Sequence, residues 1–392
     1  MTQRDRRRCW WAVRSAAALV ACAGAARAQG ASVLGAAARR AGWSANVRLD
    51  QRWDENLQLV APGDAGGRST RATLYLGHDW RSRRSHLALS AGAGWQRIAG
   101  EVEQRTGSYD VRAEAVGAAT RRLTLAASLA AQSSLSRDLG LVEQLPIAGQ
   151  GAVSPLVRAD IVSGAASATY RTSRAGSARL ETGLARFDFG GALPGGASLR
   201  ERVGLHRVVS SRRSLGLAVE LQQHDTDQGA STAEIALASW DHVIGRSRRA
   251  SLRVLAEAGA AHLAGAEETV GPAGNLSLEA RRLSSMLALT ARRMPGQIVG
   301  TGRVTTATTV GLAAAHAPAR GRQLAALGLT HTAAADAALG SYALDDASLR
   351  VARAVGGGLW AELSGGYRRR TEPVVLSGAY GGVGVRYALG GR

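Results

Sequence analysis

The chain has 392 residues and a formal net charge of +19, carried by 49 arginines because no lysine occurs. Beyond the N-terminal segment no run of about 18 uncharged apolar residues is found, which excludes a transmembrane helix. Both cysteines, Cys9 and Cys22, lie in that segment, so no disulfide can stabilise the remainder. The arginine excess favours anionic partners, either lipid headgroups or an anionic solute.

The first 28 residues have the pattern of a secretory signal peptide. Arginines open the segment, an apolar stretch follows, and Ala26-Arg27-Ala28 then precedes Gln29, which predicts cleavage after Ala28. The alternative is lipid attachment at Cys22, because Leu19-Val20-Ala21-Cys22 suits a lipobox, although this leaves a shorter apolar core. We expect residues 29–40 to form a short periplasmic segment.

A short basic turn followed by an alternating apolar run recurs along the chain. The first copy is Ser82-Arg83-Arg84-Ser85, and others begin with Thr120, Ser211 and Ser247. After the first copy Leu87, Leu89 and Ala91 fall on one face, a period of two that a helix does not produce. Each unit of roughly 36 residues is long enough for two strands, so the repeat predicts β-hairpins.

Short and long connections alternate to the end of the chain. Nine loops are expected near residues 54, 99, 137, 190, 225, 264, 294, 332 and 368, and eight turns near 83, 121, 174, 212, 248, 281, 320 and 356. The sequence therefore predicts an all-β fold: one antiparallel up-and-down transmembrane barrel over residues 41–392, with about 18 strands, 16 being the alternative. A secreted β-sandwich or a solenoid fits less well, because the apolar faces are mostly Ala, Gly and Leu and the repeats are long.

Aromatic residues near strand ends would supply the belts at the two membrane interfaces. The expected belt residues are Trp43, Trp53, Trp80, Trp95, Trp240, Trp360, Tyr367 and Tyr380. The last strand alternates up to Leu389, and Tyr387 would serve as its recognition aromatic for the barrel assembly machinery. The basic turns should face the periplasm.

If the Leu-bearing faces meet lipid, the opposite faces line the pore. The predicted pore-lining residues are Arg48, Arg52, Arg112, Glu114, Arg179, Glu181, Arg200, Arg202, Arg253, Glu257, Arg350 and Arg386. Two interpretations stand: cross-strand ion pairs that brace the wall, or an arginine excess whose positive field selects anions. The loop 137–156 would fold inward and narrow the pore, or else project as a mobile surface loop.

Enzymatic motifs are absent from the sequence. The eight histidines are scattered, and neither a G-x-S-x-G nor an H-x-x-x-H pattern occurs, so we expect no catalytic residue, no metal and no cofactor. An outer-membrane hydrolase assembled from separate strands is the less favoured alternative. Nucleic acid is not an expected partner of an exported chain.

The stretch Arg52-Trp53-Asp54-Glu55-Asn56-Leu57, at the end of the first strand, resembles the start of the β-barrel porins found beside bacterial exopolysaccharide gene clusters. The resemblance implies a barrel in the outer membrane of a Gram-negative cell that serves polysaccharide export. With the arginines, the expected function is a porin-like channel for an anionic exopolysaccharide or for small anions. The alternative is a structural or adhesive barrel without transport. Expected partners are outer-membrane lipid, anionic polysaccharide or small anions, and the assembly machinery.

Overall fold

The structure is a computed structural model that describes residues 42–55, 66–99, 103–135, 158–190, 195–227, 229–245, 250–265, 268–298, 303–318, 322–336, 340–371 and 376–389. These residues form strands and the short connections between them. The eighteen strands are β1 Gly42–Asp54, β2 Gly67–Arg81, β3 Ser85–Ala99, β4 Gln104–Ala118, β5 Leu123–Leu135, β6 Arg158–Arg171, β7 Gly176–Asp188, β8 Gly196–Ser210, β9 Arg213–Thr226, β10 Gly229–Ile244, β11 Ala250–Ala264, β12 Thr269–Arg282, β13 Ser285–Ile298, β14 Arg303–His316, β15 Gln323–Asp336, β16 Gly340–Gly356, β17 Leu359–Thr371 and β18 Leu376–Leu389.

The strands form one closed antiparallel sheet. Each strand pairs with its sequence neighbours, and β18 returns to pair with β1, from Ala45 opposite Leu389 to Asp54 opposite Tyr380. Closure leaves no strand edge with unpaired backbone groups, which a membrane-spanning sheet requires. The all-β up-and-down barrel of eighteen strands is therefore confirmed. In the described part of the chain no helix is long and apolar enough to cross a membrane.

The repeated basic turns owe their geometry to the hydroxyl residue before the arginines. The Ser82 Oγ accepts hydrogen bonds from the backbone N–H groups of Arg84, at 3.2 Å, and Ser85, at 3.0 Å. Thr120 Oγ1 makes the equivalent bonds to Arg122 and Leu123, at 3.1 and 3.0 Å. Such side-chain bonds imitate a backbone turn and reverse the chain within a few residues. The copies at Ser82 and Thr120 therefore form the same turn. In the copy at Ser211 the accepting hydroxyl is that of Ser210, and the copy at Ser247 lies outside the described residues.

Strands extend further at the loop end than the sequence pattern indicated. The loop expected at 264–274 contains the start of β12 at Thr269, and the loop expected at 294–302 contains the end of β13 at Ile298. The cross-strand pairing continues through Pro272 and Pro295. The loop 137–156 and the predicted cleavage site after Ala28 lie outside the described residues.

The outer face carries an apolar band between two groups of aromatic residues. Trp43 and Trp80 lie outward at the turn end, and Trp53 and Trp95 lie outward towards the loop end. Ten residues separate Trp43 from Trp53. At about 3.4 Å per residue and a tilt of about 40° this is a height of about 26 Å, close to the roughly 25 Å band of outer-membrane barrels.

Two of the expected belt residues face the other way. Trp360 and Tyr380 lie on the inner face, where the guanidinium of Arg386 lies 5.2 Å from the Trp360 ring centre and that of Arg52 lies 4.0 Å from the Tyr380 ring centre. The ring faces attract these cations, so the two aromatics hold arginines and do not anchor the barrel in lipid. Their assignment to the belts was wrong.

Candidate functional site

The polar face of the sheet is its concave, inner face. Arg202 lies on β8 and Glu257 on β11, with β9 and β10 between them, yet Arg202 Nη2 is 2.6 Å from Glu257 Oε1. Three strand spacings amount to about 14 Å along the wall, so such a contact can close only across the concave side of a tightly curved sheet. On β9 the opposite, outward positions carry Leu217 and Val219, both 64% exposed.

The register aligns the predicted pore-lining residues on that same face. Glu181 pairs with Arg202, and Arg202 pairs with Glu220, so their side chains point to one side of the sheet. Likewise Arg48 lies opposite Arg386. The other predicted pore-lining residues occupy matching alternate positions on their strands, so they also point to the inner face. Whether they border a conducting path stays a prediction, because alignment on a face does not establish an open pore.

One interior cluster, the Glu220 cluster, consists of Arg200, Arg202, Glu220, Glu257 and Arg292. Arg200 grips the Glu220 carboxylate with two bonds, Nε to Oε1 at 2.7 Å and Nη2 to Oε2 at 2.6 Å. Arg202 Nη1 lies 3.6 Å from the same carboxylate. Arg292, on β13, interacts electrostatically with the other four. Arg200 and Arg202 thus contact the two carboxylates directly, Arg292 adds a third positive charge within electrostatic range, and Glu220 is only 1% exposed.

A second interior cluster, the Glu362 cluster, consists of Arg48, Asp50, Arg350, Glu362 and Arg386. Arg48 Nη2 lies 3.2 Å and Arg386 Nε 3.7 Å from the buried Glu362 carboxylate, and Arg350 donates a hydrogen bond to it. Arg48 also lies 2.8 Å from the Asp50 carboxylate. Here too three guanidiniums face two carboxylates, and the members come from four adjacent strands, β16, β17, β18 and β1.

The other predicted residues are mostly neutralised by a partner on the inner face. The pairs are Arg52 with Asp54 at 3.2 Å, Arg112 with Asp110 at 2.9 Å, Arg179 with Glu181 at 2.5 Å, and Arg253 with Asp241 at 2.7 Å. Three of these pairs join residues two apart on one strand, which point to the same side. Glu114 is exposed and makes no ion pair with any described residue.

Sequence reasoning missed an apolar cluster inside the barrel. Ile235, Leu237, Ala261, Ala273 and Met294, from β10 to β13, bury one another on the inner face. Ile235 lies directly opposite Glu220 in the pairing of β10 with β9, so the cluster adjoins the Glu220 cluster. The sequence did contain a signal for this cluster. Ile235 and Leu237 alternate in step with the polar Asp241 along β10, so all three point to the same face of the sheet.

Two polar side chains beside Glu220 were also missed. Gln222 and His224 continue the inner row of β9 and are 0% and 1% exposed. Gln222 Nε2 donates to Glu220 Oε1 at 2.7 Å, and His224 Nε2 lies 3.4 Å from Gln222 Oε1. The inner face is therefore closely packed in this corner of the barrel. The inward side chains of β9 to β13 therefore fill part of the barrel interior.

One carboxyl group at the loop end has a shifted pKa. Glu103, between β3 and β4, accepts a hydrogen bond from Arg105 and lies 2.9 Å from Arg97 Nη2. These two guanidiniums, Arg105 first, hold the pKa of the Glu103 carboxyl below its usual value. The group is fully exposed, so its role is to help neutralise two arginines on the rim.

The described residues contain no group of three His, Cys, Asp or Glu side chains placed to hold a metal ion. Three histidines form pairs, His86 with Asp79 at 2.8 Å, His331 with Asp345 at 2.7 Å, and His316 with Ser285 at 2.9 Å. His262 lies between two exposed carboxylates, 2.9 Å from Glu268 and 3.8 Å from Glu234. A hydrolytic triad would need all three kinds of group converging at one place. No such convergence occurs within the described part of the chain.

Among solved structures, the chain is similar to a BenF-like porin from Pseudomonas fluorescens Pf-5, with a TM-score of 0.50, 10% identity, and coverage of 88% of this chain and 99% of that one. The fold is that of the 18-stranded outer-membrane porins. The outer membrane protein opdK from Pseudomonas aeruginosa aligns with a TM-score of 0.49, 11% identity and the same coverage. OccAB4 from Acinetobacter baumannii aligns at 0.48, with 9% identity over 90% of this chain and 99% of that one.

No protein-family model matches the chain, and no curated protein matches it in sequence. The fold and the outward apolar band nevertheless determine its location. A closed antiparallel barrel with this band leaves no backbone group unsatisfied in hydrocarbon, and such barrels are outer-membrane structures. The protein is an outer-membrane β-barrel.

Proposed function

We propose that the protein is a porin-like channel that passes anionic solutes. The observation that carries the proposal is the excess of guanidinium over carboxylate in both interior clusters, three to two in each. Arginine stays charged at every relevant pH and binds carboxylate or phosphate with two parallel hydrogen bonds. An anion entering the barrel would therefore meet two fixed positive sites on separate parts of the wall, one on β8 to β13 and one on β16 to β1.

The internal carboxylates set how strongly these sites hold an anion. Glu220 and Glu362 already occupy part of the hydrogen-bonding capacity of the surrounding guanidiniums. An anion must share those donors, so it binds weakly enough to leave again, as conduction requires. The other inward arginines are largely paired, which keeps the net field modest and concentrates the attraction at the two clusters.

The finer proposal concerns the anion. The resemblance of the stretch at Arg52 to porins beside exopolysaccharide gene clusters supports an acidic exopolysaccharide as cargo. A small carboxylate solute has the same binding chemistry but demands less width. The apolar cluster around Ile235 occupies part of the interior, which supports a narrow cargo more than a bulky one.

Planar-bilayer recording tests the channel. We expect discrete conductance with a reversal potential on the anion side under a salt gradient, weakening as salt screens the wall charge. Changing Arg202→Gln and Arg350→Gln together should move the reversal potential towards cations, because each cluster then loses its excess charge. The control is Arg105→Gln, the same change on the outward loop-end rim. Heat-modifiable gel mobility verifies that each variant folds. An unmoved reversal potential in a folded double variant would refute the role of the clusters.

Competition separates the two cargo classes. If small anions pass, a small dicarboxylate should block the chloride current transiently. If a polymer is the cargo, an acidic oligosaccharide should block the current for longer than the dicarboxylate does. Current insensitive to either would contradict anion passage.

A second function, a structural barrel that conducts nothing, is favoured by one observation. The inner faces of β9 to β13 pack closely, with Glu220, Gln222 and Ile235 almost fully buried. Under this function purified protein inserts into the bilayer without adding conductance. The recording described above decides between the two.

A further inference from the structure

A row of polar side chains crosses the outward face at the turn end of β12, β13 and β14. Arg282 pairs with Ser285, and Ser285 pairs with His316, so the three lie side by side at one height. The Ser285 hydroxyl is hydrogen bonded to His316 Nδ1 at 2.9 Å. These residues have the parity of the exposed Leu287, so they face the membrane and not the interior.

The next outward row, two residues further from the turns, contains two alanines between leucines. Across the sheet the partners read Leu252, Ala280, Leu287, Ala314, Leu327 and Leu349. The two alanines leave depressions between leucines, and these join into an apolar groove of about 720 Å³. Arg282, Ser285 and His316 line the same groove at its turn end. The groove is therefore apolar along its length and polar at one end.

The polar end carries a charge that no described residue neutralises. Arg282 is exposed and makes no ion pair with a described residue, whereas its neighbour Arg281 has the opposite parity and contacts Glu279. The turn end as a whole is rich in exposed arginines: Arg83, Arg84, Arg121, Arg122, Arg174, Arg212 and Arg213. In an outer-membrane barrel the short turns lie on the periplasmic side, level with the headgroups of the inner leaflet.

We propose that this groove binds one anionic phospholipid of the inner leaflet. The guanidinium of Arg282 takes the phosphate in a charge-assisted pair, and Ser285 and His316 supply hydrogen bonds beside it. One acyl chain lies over Ala280 and Ala314 between the leucines. The polar row and the row of leucines and alanines are about 6.8 Å apart. The headgroup can therefore contact the polar row while the first methylenes of the acyl chain contact the apolar groove. Charge complementarity selects this occupant over a second copy of the barrel, whose matching face would bring Arg282 against Arg282. The site does not depend on conduction.

Native mass spectrometry of the detergent-solubilised protein tests the site. Titration with dioleoylphosphatidylglycerol should give one lipid adduct with roughly tenfold higher affinity than dioleoylphosphatidylcholine, as expected for an added charge-assisted contact. Arg282→Gln should remove that preference. Ala314→Phe should fill the groove and weaken the adduct of both lipids.

Two matched variants serve as controls. Arg213→Gln removes an exposed turn-end arginine on β9, and Ala127→Phe enlarges an outward alanine on β5, both away from the groove. Each should leave the adduct unchanged, and heat-modifiable mobility shows that all four variants are folded. Equal binding of the two lipids by the unchanged protein overturns the proposal without any variant. An equal loss of lipid binding in Arg213→Gln also overturns the proposal, because the lipid would then adhere to the exposed arginines of the turn end in general. Detection of a protein dimer in place of the lipid adduct overturns it as well.

Discussion

Replacing Glu220 by Gln tests whether the interior cluster stabilises the barrel. The change keeps the shape of the side chain but removes the charge that Arg200 grips at 2.6 and 2.7 Å. It also places an amide N–H₂ against guanidinium donors. Two charge-assisted bonds at about 1.5–3 kcal/mol each give an upper bound of about 3–6 kcal/mol. Because the Arg200 side chain is 32% exposed, water can solvate part of the released charge, and we expect about 2–3 kcal/mol.

The assay is urea unfolding in lipid vesicles, followed by tryptophan fluorescence. With a slope of about 3 kcal/mol per molar urea, the midpoint should fall by roughly 0.7–1 M. Glu114→Gln is the matched control, since Glu114 is also inward but exposed and unpaired among the described residues, and it should change stability by about 0.5 kcal/mol or less. If both substitutions lowered the midpoint equally, Glu220 would not be held by Arg200. The double change Arg200→Met with Glu220→Leu should recover much of the loss, because it removes both partners of this pair and leaves Arg202 bonded to Glu257.

Three further outcomes follow from the structure. Gly366→Ala should destabilise the barrel by about 1–3 kcal/mol, because an added methyl meets the Tyr380 ring and the Ala347 carbonyl, whereas Gly271→Ala meets nothing within 4 Å and should be nearly neutral in the same unfolding assay. Thr120→Ala should cost about 1 kcal/mol by removing the bonds to Arg122 and Leu123, and Thr120→Ser should restore it; equal stability of the two would deny the hydroxyl its role. Cysteine at Glu268, in a loop, should react with an impermeant thiol reagent on intact cells, while cysteine at Ser211, in a turn, should not; labelling of Ser211 alone would invert the orientation.

Local pattern determined much of this protein. The side chains of a strand alternate between two faces whatever the partner strand, so Leu87, Leu89 and Ala91 were assignable to one face from the sequence alone. Hydroxyl-arginine turns are local as well, because Ser82 and Thr120 bond backbone groups two and three residues away. The strand number and the shared face of the predicted arginines and glutamates followed from these two features.

Tertiary structure alone decided which charges meet. Arg202 reaches Glu257 past two intervening strands, and Arg292 joins the same cluster from β13, because the sheet curves tightly in that corner. The curvature of the sheet cannot be predicted from the residues of any single strand. The same curvature buries Ile235 and Leu237 inside the barrel. On the outer face the groove over Ala280 and Ala314 exists only because closure aligns residues from six strands in one row, and register between strands is a property of the assembled sheet.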